Sequence, residues 1–277
     1  NLYLALGAPF VSDSGFEVCK EEGVGCLDTA GNCYLSFGGI YIEINGNKNQ
    51  HPAKRSIKSM FSPKSSRVIR VLLSDVQKWW QVQEIAAEAD ISLGLASKLK
   101  QKLLEEESIV EQDRRVRIKS PKRVLDLWVE NYRYKRNTMS EYYSLEDAPK
   151  IEQRIAEYCS RSNVQYALGL FSATSRVAPH VRMNKAYVFV DAPFDQVAGA
   201  LNLNPVPSGS NVVLLKPYDA GVFYGSRTIE GANVVSDVQM YIDLKTYKGR
   251  GEEAADFLMQ HSLEPSWRRD QTMVSER

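Results

Sequence analysis

Apolar positions along the chain change their spacing several times, and each change marks an element. In 66–79 (SRVIRVLLSDVQKW), Val68, Ile69, Leu72, Leu73 and Val76 recur every three or four residues, which predicts a helix with one inward stripe. A short extended piece, WQV, follows. In 82–90 (VQEIAAEAD), Ile85, Ala86 and Ala89 predict a second, short helix. Asp90-Ile91-Ser92 turns the chain, and Ser92 is placed to cap a third helix whose inward stripe is Leu95, Ala96, Leu99 and Leu103. The period then drops to two in SIVEQ (108–112) and RVRIK (115–119), with Asp113-Arg114 as the turn between two strands. Val116 and Ile118 face one way, Arg115 and Arg117 the other. SPKRVLDLWVENY (120–132) opens a further helix, with Ser120 as cap and Pro121 at the first position.

The flanks read differently. Within 23–49, short strands are expected at 26–28, 33–35 and 40–44, joined by Gly-Asn turns. NLYLALGAP at the start has the pattern of a strand interior, as if a longer domain had been cut there. Residues 54–65 and 133–150 are polar and read as linkers. After them come a helix at 151–162, the stretch YALGLFSATSRVAP, a strand at 186–193, a helix in DQVAGALNL, strands at 211–218 and 234–247, and a helix at 249–263. The fold class is therefore α+β and multidomain: a small α/β piece at 1–60, a central helical module with a hairpin at 61–136, and a C-terminal α/β domain at 137–277.

Charge separates the same three segments. The chain has a net charge of +1, yet residues 60–136 carry 16 basic and 11 acidic side chains, against 5 and 6 before them and 14 and 17 after. Positive charge gathered in one module is the footprint expected for binding phosphates.

Helix, short helix, tight turn, helix and hairpin in that order resemble winged helix-turn-helix regulators. VQEIAAEADISLGLASKLKQKLLEEESIVEQDRRVRI carries the resemblance: a small-residue second helix, a three-residue turn, a recognition helix, then LEEE and an apolar strand into the wing. One departure is Ser108, where the family has a glycine, so a turn strained for serine is expected there. The resemblance implies a DNA-binding face of Ser92, Gly94, Ser97, Lys98, Gln101 and Lys102 on the recognition helix, and Arg114, Arg115 and Arg117 on the wing. The outward helix face is short, polar and cationic without bulky apolar residues, which suits base edges and phosphates in a major groove. The arginines suit phosphates or a minor groove. Winged helices also serve as protein-binding modules, and that alternative stays open.

The N-terminal segment offers a second chemistry. Asp28 and Glu43 sit at strand positions matching the carboxylates of PD-(D/E)xK nucleases, which could hold Mg²⁺ while a lysine polarises water. The lysine position is Asn45, and Lys48 has the wrong spacing. Asp219 with Asp243-Leu244-Lys245 is a weaker match of the same kind. The nuclease is therefore the alternative to a non-enzymatic regulator. Cys19, Cys26, Cys33 and Cys159 read as buried thiols, and His51, His180 and His261 are scattered without metal-ligand spacing. There is no phosphate loop, no nucleophile elbow, and no apolar run of the roughly 18 residues a membrane helix needs. No cofactor is implied.

ALGLFSATSRVAPHVR, NVVLLKPYDAGVFYG and VSDVQMYIDLKTYKGRGEEAADFL together resemble AbiEi-type antitoxins of type IV toxin–antitoxin systems. The resemblance implies a bacterial, cytoplasmic regulator that represses its own operon by binding inverted repeats as a homodimer on double-stranded DNA. Its partner would be a nucleotidyltransferase-like toxin. Here the winged helix is internal, with an extra domain before it.

Overall fold

A computed structural model describes residues 3–11, 13–47, 60–181 and 184–272. The protein is mixed α/β, with three sheets among the described residues. It divides into two compact units, 1–56 and 57–277.

The first unit runs β1 (Ala5–Ala8), α1 (Asp13–Glu21), β2 (Gly25–Asp28), β3 (Cys33–Phe37) and β4 (Ile40–Ile44). The expected strands are present, including one at the start. β1 and β2 are parallel, as a helical crossover between them permits, and β2, β3 and β4 are antiparallel. The register aligns Cys26, Tyr34 and Glu43 on one face. There Cys26 and Tyr34 pack with Phe16, Cys19 and Val11 into a small core. The other face aligns Leu27, Cys33 and Ile44, then Leu35 with Ile42 and Phe37 with Ile40, and it stays largely exposed.

The second unit opens with α2 (Pro63–Ser74), β5 (Trp80–Gln81), α3 (Val82–Glu88), α4 (Leu93–Glu105), β6 (Ile109–Gln112), β7 (Arg115–Ile118) and α5 (Pro121–Asn131). β5, β7 and β6 form a three-stranded antiparallel sheet in that order. α3 is held by a capping box between Gln81 and Glu84. α4 starts where the Ser92 hydroxyl accepts the Leu95 N–H at 3.3 Å. Ala96, Leu99 and Leu103 are buried as their spacing predicts, and Val116 and Ile118 are buried beneath the hairpin. Two local expectations fail. Ser120 makes no capping hydrogen bond, so Pro121 alone marks the start of α5. The strained residue before β6 is Glu107, at φ +51°, whereas Ser108 is buried with ordinary backbone geometry.

The rest runs β8 (Thr138–Tyr143), α6 (Ala148–Arg161), β9 (Tyr166–Leu168), α7 (Leu170–Val177), β10 (Ala186–Val190), α8 (Phe194–Leu201), β11 (Asn204–Pro205), β12 (Val212–Lys216), β13 (Arg227–Ile229), β14 (Ala232–Val234), α9 (Asp237–Lys245) and α10 (Gly251–Leu258). A π-helical turn, Met259–Leu263, leads into α11 (Glu264–Thr272). The sheet order is β11-β8-β12-β10-β9-β14-β13. β10 and β12 lie parallel at its centre, with α8 in their crossover.

Three expectations are corrected here. The polar stretch 133–150 is not a linker, because β8 pairs along β12 over five residues inside the sheet. The strand expected at 234–247 ends at β14, and α9 follows, capped by the Ser236 hydroxyl on the Gln239 N–H. Val238 through Leu244 are all buried, so no polar face betrayed the helix. The linker expected at 54–65 lies outside the described residues up to 59, while Met60 and Phe61 are fully buried and α2 begins at Pro63.

The boundary drawn at 136 is not a break in packing. One apolar cluster runs from Met60 through Trp128 to Leu263. A buried polar network crosses it as well. Arg70 of α2 donates to Gln239 at 2.5 Å and to Tyr218 at 3.1 Å, and its guanidinium lies over the Trp128 ring at 4.9 Å. Tyr132 donates to Asp243 at 2.5 Å. Complete burial pushes the Asp243 carboxyl up to about 6, even though Gln239, Tyr132 and Arg70 favour its anion.

Candidate nucleic-acid interface

α4 turns one face to the core and the opposite face to solvent. Gly94, Ser97, Lys98 and Gln101 follow the three- and four-residue spacing of a single exposed face, with Ser92 just before them and Lys102 half-buried at its edge. Gln101 reaches Glu105 at 3.3 Å. Ser97 and Lys98 make no side-chain hydrogen bond or ion pair among the described residues. Nothing lies within 4 Å of where a Cβ on Gly94 would stand. Packing within the chain therefore does not require glycine there, while a surface approaching from outside would meet bare backbone.

The hairpin stands beside this face. Lys100 of α4 donates to Glu111 of β6 at 2.5 Å, which ties the helix to the hairpin. Asp113 and Arg114 form a two-residue tip with both φ values positive, +51° and +61°, as a tight hairpin turn requires. Arg114 and Arg115 are exposed, and Arg115 donates to the Trp79 carbonyl at 3.4 Å. Arg117 is half-buried and lies over the Trp79 ring at 4.7 Å. The nine residues singled out from sequence thus fall on one helix face and one adjoining hairpin.

Two features escaped the sequence reading. Leu93, at the first position of α4, is 48% exposed, so the outward face does hold one bulky apolar side chain. The Trp79 platform under Arg117 also went unseen, because its signal, a Trp-Trp pair at the start of β5, says nothing of which ring meets the hairpin.

The carboxylates of the nuclease reading have separate employment. Asp28 accepts N–H groups from Val11, Ala30 and Asn32 and the Asn32 side-chain amide, all between 2.8 and 3.0 Å. Burial works to raise its carboxyl, and these bonds outweigh it and hold the group below its usual range. Glu43 accepts from Tyr41 and from Lys20, and both lower it in that order. They share no partner, and Lys48 and His51 lie outside the described residues. Asp219 is paired with Arg67, and Asp243 is bound to Tyr132. No cluster of three or more His, Cys, Asp or Glu side chains converges as metal ligands among the described residues. His180 pairs with Glu253, His261 donates from Nδ1 to the Phe257 carbonyl, and all four cysteines are free. No helix among the described residues is long and apolar enough to cross a membrane.

Comparison with known proteins yields one family. Its sequence model, described as "Transcriptional regulator, AbiEi antitoxin, Type IV TA system", matches residues 117–264, just over half of the chain. The matched stretch opens at Arg117 and takes in α5 through the π-helical turn, so the exposed face of α4 precedes it. No curated protein and no solved structure matches.

Proposed function

The chain belongs to the AbiEi family of type IV toxin–antitoxin transcriptional regulators, and from that membership we propose that residues 61–136 are a winged helix-turn-helix that holds double-stranded DNA. In this reading α4 enters the major groove and the β6–β7 hairpin is the wing. Ser92, Gly94, Ser97, Lys98, Gln101 and Lys102 meet bases and phosphates, and Arg114, Arg115 and Arg117 meet the backbone or a minor groove. The protein acts in the cytoplasm as a homodimer on two half-sites, represses its own operon, and counters a nucleotidyltransferase-like toxin. The observation that carries the reading is the juxtaposition of an exposed, small and polar α4 face with an arginine-bearing two-residue tip.

If the five cations of this surface meet phosphates, affinity falls steeply as salt rises, with a slope of about −0.9 per contact. Titrations on duplex DNA between low and moderate salt measure the slope. Affinity indifferent to salt removes the electrostatic part of the reading.

Reading and holding are separable. Gln101→Ala is expected to lower the preference for a selected duplex over random duplex by about 1–3 kcal/mol, the worth of a bidentate base contact. Arg114→Ala is expected to weaken both DNAs alike and to make the salt slope shallower by about one. Both variants should fold, since both side chains are exposed. Competition binding across a salt series decides it. If neither change matters on any duplex, the module binds protein instead.

A further inference from the structure

The turn that aims α4 is gripped from the C-terminal part of the same unit. Arg67 of α2 donates from Nε and Nη2 to both oxygens of Asp219, at 2.7 and 3.0 Å. Its remaining arm, Nη1, reaches the Asp90 carbonyl at 3.2 Å and the Asp90 carboxylate at 3.1 Å. Asp90 is the left-handed residue, φ +49°, between α3 and α4. One guanidinium thus bridges the loop after β12 and the bend that sets the direction of α4. A lysine cannot do both, since its ammonium lacks the fixed fork of donors.

The grip is built closely. The Asp219 carboxylate also accepts the Gly221 N–H at 2.8 Å. A Cβ on Gly221 would lie 2.8 Å from that carboxylate and 3.0 Å from Cγ of Arg67, so the backbone there is pressed against the bridge. Two residues past Val222, Tyr224 donates to Glu88 near the end of α3 at 3.0 Å, and its hydroxyl lies 3.4 Å from the hydroxyl of Ser74 at the end of α2. Segment 219–224 therefore touches α2 and the end of α3 directly, and reaches the turn that follows α3 through Arg67. None of these residues is on the exposed face of α4.

We propose that Arg67 is a positioning residue for DNA reading: bridged to Asp219, and with Tyr224 holding α3, it fixes the angle at which α4 is presented. The inference rests on the winged-helix reading above. It makes the C-terminal part a determinant of which sequence α4 reads, through a network of few, directional bonds with no contact to DNA. A partner that bound segment 219–224 and broke the bridge would loosen sequence preference before it loosened DNA holding.

The test uses the full chain with Arg67→Lys and Tyr224→Phe. The probes are a duplex selected by the wild-type chain from a random library and a random-sequence duplex of equal length. Arg67→Lys keeps a cation beside Asp219, so a role limited to neutralising that carboxylate is preserved. Each variant is expected to lower preference for the selected duplex by about tenfold. Affinity for random duplex and its salt slope should stay as in wild type. Unchanged preference in folded variants overturns the inference. So does equal weakening on both duplexes with a shallower slope, which makes Arg67 a phosphate contact. Should Arg67→Lys not fold, Tyr224→Phe, which loses only a hydroxyl, decides alone. A wild-type chain that shows no preference for any duplex removes the winged-helix reading and this inference with it. Folded variants that keep the wild-type preference beside a discriminating wild type remove only the inference.

Discussion

Trp128→Ala is expected to destabilise the whole of residues 57–277 by about 3–5 kcal/mol, the usual cost of emptying a large aromatic site. Trp128 is fully buried on α5, stacked on Phe61 with ring centroids 5.9 Å apart and roofed by the Arg70 guanidinium. Because the apolar cluster continues from there to Leu263, the helical module and the large sheet should lose structure in one transition. All four tryptophans lie in this unit, so the remaining three report on it without signal from residues 1–56. Fluorescence and far-UV circular dichroism should give coincident midpoints, both lowered. A large sheet that melts at its wild-type midpoint while the helical module falls would show two independent domains.

The second large effect concerns pH. The Asp243 carboxyl titrates at about 6 in the folded chain, raised by burial, against a usual value of 3.8. The folded state therefore holds this proton more tightly than the unfolded one. The group's contribution is fully present below about pH 4 and is lost as pH rises through about 6, and that interval corresponds to about 3 kcal/mol. Other carboxylates act in the opposite sense: Asp219, lowered by Arg67 against its burial, contributes above its unfolded value and loses that contribution in acid. The comparison is therefore wild type minus Asp243→Asn. Denaturant unfolding from pH 4 to 7 should show wild type losing stability relative to the variant as pH rises. Parallel curves would place the Asp243 carboxylate in contact with water.

The central module was legible because its elements are amphipathic. Leu95, Ala96, Leu99 and Leu103, and then Val116 and Ile118, each declare one buried face. β8 was missed because Thr138, Met139, Glu141 and Tyr143 are exposed, so its sequence looks like solvated loop although its backbone is paired on both sides. α9 was missed for the opposite reason. Burial on every side erases the 3.6-residue period, and the buried Gln239 and Asp243 make the residues look alternately apolar and polar. The nine interface candidates could be named from local spacing together with the winged-helix resemblance. The Arg67 bridge could not, since its partners lie 23 and 152 residues away. Asp28 shows the converse ambiguity: a carboxylate at a strand end is as well suited to closing a turn as to holding a metal, and sequence does not separate the two.

The hairpin tip carries a cost of its own. Asp113 and Arg114 both adopt left-handed backbone, which disfavours an L side chain by about 1–2 kcal/mol and glycine hardly at all. Aspartate eases this with its short polar side chain, but arginine has no such relief. The chain thus accepts backbone strain to carry a long cationic side chain at the exposed turn between β6 and β7. In the reading proposed above, that strain is what it costs to place a cation at the tip of the wing.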